Sequence, residues 1–156
     1  MIHRLLAAAA AAAALALPVQ AADTPEPAVR TPGVAERLAA ARGYIQASDW
    51  SRATNELNVV IKEDPNNADA HNLLGYSWRK RATPDVTKAF SHYYTALRIN
   101  PKHKGAHEYI GQAYLMDKRP LQAEQHLAEL EKICGGRDCP EYQELARAIA
   151  AYKSKN

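Results

Sequence analysis

The stretch "HNLLGYSWRK" (His71–Lys80) reads as a helix with a glycine in its interior, and "HEYIGQAYLM" (His107–Met116) repeats that layout 36 residues later. In both, a histidine leads, a bulky aliphatic is followed at once by glycine (Leu74-Gly75, Ile110-Gly111), and an aromatic comes three residues on (Trp78, Tyr114). Glycine inside a helix costs about 1 kcal/mol relative to alanine. A cost accepted twice at matched positions implies a use, and the natural one is a point where the two helices of one repeat, A and B, close up.

Working outward, the match extends over the chain. Ala41 maps to Gly75 and Tyr44 to Trp78 at a spacing of 34, whereas Ala53 maps to Ala89, Val60 to Ala96 and Pro65 to Pro101 at 36. Between the second and third copies the order reverses: Gly75 to Gly111 and Trp78 to Tyr114 at 36, then Ala89 to Ala123 and Tyr93 to Leu127 at 34. One two-residue insertion between Trp78 and Ala89, in the turn "RATPD", accounts for every offset. The repeat is therefore real, and a period in this range predicts stacked supersecondary units.

Helical periodicity predicts helices over 34–47, 51–64, 68–81, 85–99, 104–116, 120–134 and 140–153, and no stretch alternates with the period of a strand. "DPNN" (64–67) and "NPKH" (100–103) punctuate two ends, and "TPD" (83–85) suggests Thr83 as N-cap with Pro84 in the first helical position.

The order large–small pair, aromatic, small, aromatic or leucine, small, proline resembles the tetratricopeptide repeat. Its fullest copy is Leu74-Gly75, Trp78, Ala89, Tyr93, Ala96 and Pro101. The third copy has Ile110-Gly111, Tyr114, Ala123 and Leu127 but Leu130 and no closing proline; the first has Ala40-Ala41, Tyr44, Ala53, Leu57, Val60 and Pro65. The resemblance implies an all-α solenoid of antiparallel helix pairs: a degenerate unit over 34–67, units over 68–103 and 104–137, and a capping helix over 138–156 with Leu145, Ile149 and Tyr152 on its apolar face.

The first 21 residues read differently. Arg4 precedes an apolar run from Leu5 to Leu17, Pro18 ends it, and Val19 and Ala21 fit a signal-peptidase site, so a cleaved secretory signal with the cut between Ala21 and Ala22 is expected. The run is too short to span a bilayer, which takes about 20 residues. Residues 22–33 hold three prolines and little to bury, the composition of a disordered tether. The expected location is periplasmic or secreted, and the alanine-rich leader suggests a small exported bacterial protein.

Export makes Cys134 and Cys139, separated by "GGRD", disulfide candidates. The histidines follow the repeat: His71 matches His107, and His92 matches His126. That pattern favours packing roles. The alternative is a divalent-metal or small-molecule site built from His71, His103 and His107, the last two being four residues apart. Cations at 79–81 and 118–119 read as solvated complements to helix C-termini.

With 20 Lys and Arg against 17 Asp and Glu, the chain lacks the electrostatic footprint of a nucleic-acid binder. It carries no nucleophile elbow, phosphate loop or H-E-x-x-H, so no enzyme and no cofactor is expected.

The resemblance also implies a partner protein or peptide on the concave face made by the first helix of each unit. Carried over residue by residue, that face comprises Arg42, Asp69, Asn72, Tyr76, Arg79, Glu108 and Gln112, with Tyr76 as its aromatic anchor. Leu38 and Arg42 stand where one subset of the family has a lysine and an asparagine that clamp a peptide's terminal carboxylate, so that mode is not expected. The expected role is a non-enzymatic scaffold or assembly adaptor. Self-association through the first unit, where Arg37 and Arg42 begin the stack, is the other expectation.

Overall fold

The computed structural model describes residues 30–155; the expected signal peptide and most of the expected tether lie outside them. Seven helices follow one another: α1 Val34–Gln46, α2 Trp50–Glu63, α3 Ala68–Lys80, α4 Val86–Ile99, α5 Lys104–Met116, α6 Pro120–Cys134 and α7 Pro140–Lys153. Among the described residues there is no strand.

The starts of α2 to α7 each have a local cause. The side chains of Asp49, Asn67 and Asp85 accept from the backbone N–H of Arg52, Ala70 and Lys88, which satisfies an orphan donor of the first turn. His103 Nδ1 does the same for Ala106 at 3.1 Å. Pro120 and Pro140 open α6 and α7, where a missing N–H costs nothing. The cap of α4 is Asp85 rather than Thr83. Pro84 thus precedes the helix, because an aspartate carboxylate reaches the third N–H and also pairs with Lys88 at 3.1 Å.

The insertion is visible in the backbone. In the first and third units the A–B turn closes with a hydrogen bond five residues after the aromatic, Asp49 N–H to Tyr44 O and Arg119 N–H to Tyr114 O, both 2.8 Å. In the second it closes seven residues after, Asp85 N–H to Trp78 O at 3.1 Å. The short turns force Ser48 and Lys118 to φ of 57° and 58°, a left-handed conformation that residues with a Cβ adopt at a cost.

α1, α3, α5 and α7 lie side by side as one layer, while α2, α4 and α6 cover them on the other side, each packed between its own A helix and the next. The fully buried small residues Ala41, Ala53, Ala89 and Ala123 mark the close approaches. Two apolar clusters result. The N-terminal one is aliphatic, built on Ala41, Leu57, Val60, Ala70 and Leu74. The C-terminal one is larger and aromatic, with Tyr93, Ile110, Tyr114, Leu130, Leu145 and Ile149.

The repeated glycines do not share a neighbour. A Cβ at Gly75 would stand 2.5 Å from the ring of Tyr93 in α4, so here the expected approach within one unit is met. At Gly111 it would stand 2.6 Å from Leu145 in α7. The expectation that Gly111 repeats the role of Gly75 is thereby corrected: the capping helix, not the unit's own second helix, fills that space.

Candidate functional site

The seven residues expected on the A-helix face fall into two groups. Near α1, Arg42 Nη2 pairs with Asp69 Oδ2 at 3.1 Å, and His103 Nε2 reaches Asp69 Oδ1 at 2.9 Å. His103 Nδ1 already accepts from Ala106, so its proton sits on Nε2 and the ring donates to Asp69. Asn72, one turn further along α3, is buried with Oδ1 unpartnered, and Gly105 of α5 approaches its Nδ2.

The second group is aromatic. Tyr76 and Tyr109 rings are 4.7 Å apart and tilted by 44°, and Trp50 flanks Tyr76 at 6.2 Å. The Arg79 guanidinium lies 5.4 Å and 5.7 Å from the Tyr76 and Tyr109 centroids, inside cation–π range. Its Nε donates to Tyr93 Oη at 3.3 Å. Burial raises the phenols of Tyr93 and Tyr109, the latter to about 12, so both are neutral hydroxyls at any working pH.

Beside them, Glu108 accepts from Gln112 Nε2 at 2.9 Å. Burial, then repulsion from Glu144 and Glu141 of α7, pushes its carboxyl up to about 7, against the pull of Arg79 and Gln112. Glu108 is 9% exposed, Asn72 and Arg79 6% each. The face is therefore unevenly exposed. The resemblance names residues on this side, but adjacent A helices pack so closely that three of the seven are covered. The reading of 79–81 as solvated holds for the exposed Lys80 and is corrected for its neighbours: Arg79 is buried, and Arg81 stacks 3.7 Å from the Trp78 centroid and donates to Thr54 Oγ1 at 3.1 Å.

Sequence reasoning missed Tyr109 and Trp50. Tyr109 has no repeat-matched aromatic, since the residue 36 positions earlier is Leu73, and only its place next to Glu108 hinted at the face.

The histidines pair within units. His71 Nδ1 and His92 Nδ1 are 3.2 Å apart, and His71 Nε2 meets Pro65 O at 3.2 Å. His107 repeats this with His126 Nδ1 and Pro101 O, both at 2.9 Å. A carbonyl only accepts, so His71 and His107 are protonated on Nε2, and the Nδ1–H of His92 and His126 donates to them. Burial, and then the partner histidine, lowers both His92 and His126 to about 4. These are structural links between helix A, helix B and the preceding turn. His71, His103 and His107 do not gather: the one group of three ligand types within reach among the described residues is Cys134, Cys139 and Glu141. The two sulfurs there lie at bonding distance, 2.02 Å, with Cα atoms 6.0 Å apart, which leaves neither as a thiolate ligand.

No family model matches the sequence. Two curated relatives are similar over part of the chain. One is the DnaJ protein P58IPK homolog B of Oryza sativa subsp. japonica, 32% identical over 94 residues, covering 60% of this chain and 19% of that protein. The other is the E3 SUMO-protein ligase RanBP2 of Drosophila melanogaster, 31% identical over 67 residues, 42% of this chain and 2% of that one. The chain thus spans about a fifth or less of the length of these relatives.

Solved structures carry the likeness further. The TPR2B domain of yeast Sti1, in a complex with pHsp70, superposes with a TM-score of 0.69 at 16% identity over 79% of this chain and 98% of that one. The Yersinia enterocolitica type III secretion translocator chaperone SycD gives 0.67 at 16% over 82% and 97%, and the first TPR domain of human RPAP3 gives 0.63 at 13% over 79% and 97%. The fold is that of a tetratricopeptide-type helical repeat. Among the described residues, no helix is long and apolar enough to cross a membrane.

Proposed function

We propose that the chain is a non-enzymatic interaction module that takes a segment of a partner protein along the face of α1, α3, α5 and α7. The observation that carries this reading is the Tyr76–Tyr109 pair with Arg79 against both rings. It is a rigid aromatic anchor with a cation on a face flanked by polar groups, the make-up of a binding hot spot. The structural relatives support the reading, since one was solved in a complex with pHsp70 and another is a translocator chaperone. Export to the periplasm belongs to the same proposal: the leader supports it, and the proximity of Cys134 and Cys139 suits a disulfide in an oxidising compartment.

The test is affinity purification from the native compartment with the parent protein and two surface variants. Tyr76→Ala removes the anchor, and Asp69→Arg inverts the charge at the α1 end, where Asp69 is exposed. Both keep the buried Arg79 in place. Loss of one shared partner in both variants, with circular dichroism unchanged, supports the groove. Full retention in both contradicts it and moves the contact to the α2, α4 and α6 side.

A further inference from the structure

Arg79 is a cation in an unusual position. It is 6% exposed, yet among the described residues it forms no ion pair, and its one hydrogen bond is from Nε to Tyr93 Oη. A guanidinium carries five N–H donors, so the Nη groups keep theirs. A buried charge without a counter-ion is costly unless an anion comes to it. Glu108 is not that anion: it is bonded to Gln112 instead, and burial with Glu144 and Glu141 beyond it favours its neutral form.

The free side of Arg79 faces a pocket of about 350 Å³ between the C-terminal halves of α5 and α7. Leu115, Met116, Ala148 and Tyr152 form its apolar wall, and Gln112 and Lys155 add a donor amide and a second cation. Met116 is 46% exposed, an apolar side chain left open at the rim. Sites in the range of about 300–1,000 Å³ take a small group or a few side chains rather than a folded surface.

We propose that this pocket binds a partner peptide presenting a carboxylate side chain beside an apolar one, the carboxylate on Arg79 and the apolar group against Leu115, Met116 and Tyr152. A monoanionic carboxylate suits the site better than a phosphate, because Glu141 and Glu144, whose charges already act on Glu108, would repel a dianion more strongly than a monoanion. A peptide suits it because Arg79 and Gln112 belong at once to the pocket and to the face that carries Tyr76, so a chain lying along that face reaches the pocket without a break. The inference rests on the groove reading above.

The test uses the mature, oxidised chain and ¹H–¹⁵N NMR, in which the buried Arg79 Nε–H gives its own signal. The probes are N-acetyl-Phe-Glu-amide, its uncharged counterpart N-acetyl-Phe-Gln-amide, and free 3-phenylpropionate. The glutamate dipeptide should shift Arg79 Nε–H together with the amides of Leu115, Met116 and Ala148, binding roughly tenfold tighter than the glutamine dipeptide. Ala151→Trp, at an exposed position on the pocket wall, should abolish these shifts and leave the rest of the spectrum in place. Equal responses to both dipeptides, no response to any probe, or shifts that survive Ala151→Trp would overturn the proposal. A tighter response to 3-phenylpropionate than to the glutamate dipeptide would overturn the peptide and assign the pocket to a small organic acid. In the affinity purification, a partner kept by Ala151→Trp but lost by Tyr76→Ala would overturn the pocket and leave the groove standing.

Discussion

Gly75 and Gly111 occupy the same place in successive units, yet different parts of the chain fill the space they leave. In the second unit it is the Tyr93 ring from the unit's own B helix; in the third it is Leu145 from α7. The B-helix residue matching Tyr93 is Leu127, which is smaller and only partly buried. A unit whose B helix carries a tyrosine closes on itself, whereas one with a leucine there is completed by the next helix. The second unit is thus internally packed, and the third depends on its cap.

The comparison breaks most sharply at Gly75. Tyr93 is fully buried and held by Arg79, so Gly75→Ala has nowhere to push the ring. A loss of about 3 kcal/mol in urea unfolding, the upper part of the range for overpacking, is expected. A neutral result would mean that Tyr93 moves freely and that the second unit is not closed in this way.

Next comes the proposed Cys134–Cys139 disulfide at the start of α7, whose sulfurs lie 2.02 Å apart. Cys139→Ser should cost about 2 kcal/mol, the entropy of so short a loop. In hydrogen exchange the loss should concentrate in α7 and the facing turn of α5, sparing α3 and α4. Loss spread evenly over all helices would contradict the dependence of the third unit on its cap.

Gly111→Ala meets the methyl groups of Leu145, which rotate more easily than a ring, so a smaller cost of about 1–2 kcal/mol is expected. Exchange should again localise it to α7. If Gly111→Ala costs as much as Gly75→Ala, the two units do not differ as described.

The smallest effect concerns charge under the cap. Glu108 has its folded pKa raised from 4.5 to about 7, mainly by burial and then by Glu144 and Glu141 of α7. A raised carboxyl pKa contributes stability that is fully present below 4.5 and is lost as the pH rises through 7. Glu108→Gln removes that loss, so the variant should equal the parent near pH 4 and exceed it by about 1 kcal/mol at pH 8, once solvent screening is allowed for. Taking the difference between the two proteins cancels the opposite trend from His92 and His126. Their depressed pKa values remove stability as the pH falls from about 6.5 towards 4. A difference that does not change with pH would show that neither burial nor the charges of α7 raise the Glu108 carboxyl.

Much of the fold was legible because it rests on local periodicity. The seven expected segments agree with the helices to within one residue at each end, and the insertion at "RATPD" falls where the turn hydrogen bond lengthens by two residues. The two histidine pairs follow from repeat matching, although only the structure joins His71 to His92 and His107 to His126. The candidate site was less legible. Arg79 and Tyr76 follow from the resemblance, but the burial of Arg79 depends on how near α5 and α7 come. Tyr109, which completes the anchor, breaks the repeat and so carries no periodic signal. Thr83 was a reasonable cap on sequence grounds, and Asp85 displaced it because its carboxylate also pairs with Lys88.

Site-specific photo-crosslinking in the native cell tests the central claim most directly. A photoreactive phenylalanine replaces Tyr76 on the A-helix face in one sample, and Gln125 on the exposed side of α6 in another. A discrete adduct with one partner is expected from position 76, lost when Ala151→Trp or Asp69→Arg is added, and none from position 125. An adduct from position 125 with none from position 76 would contradict it.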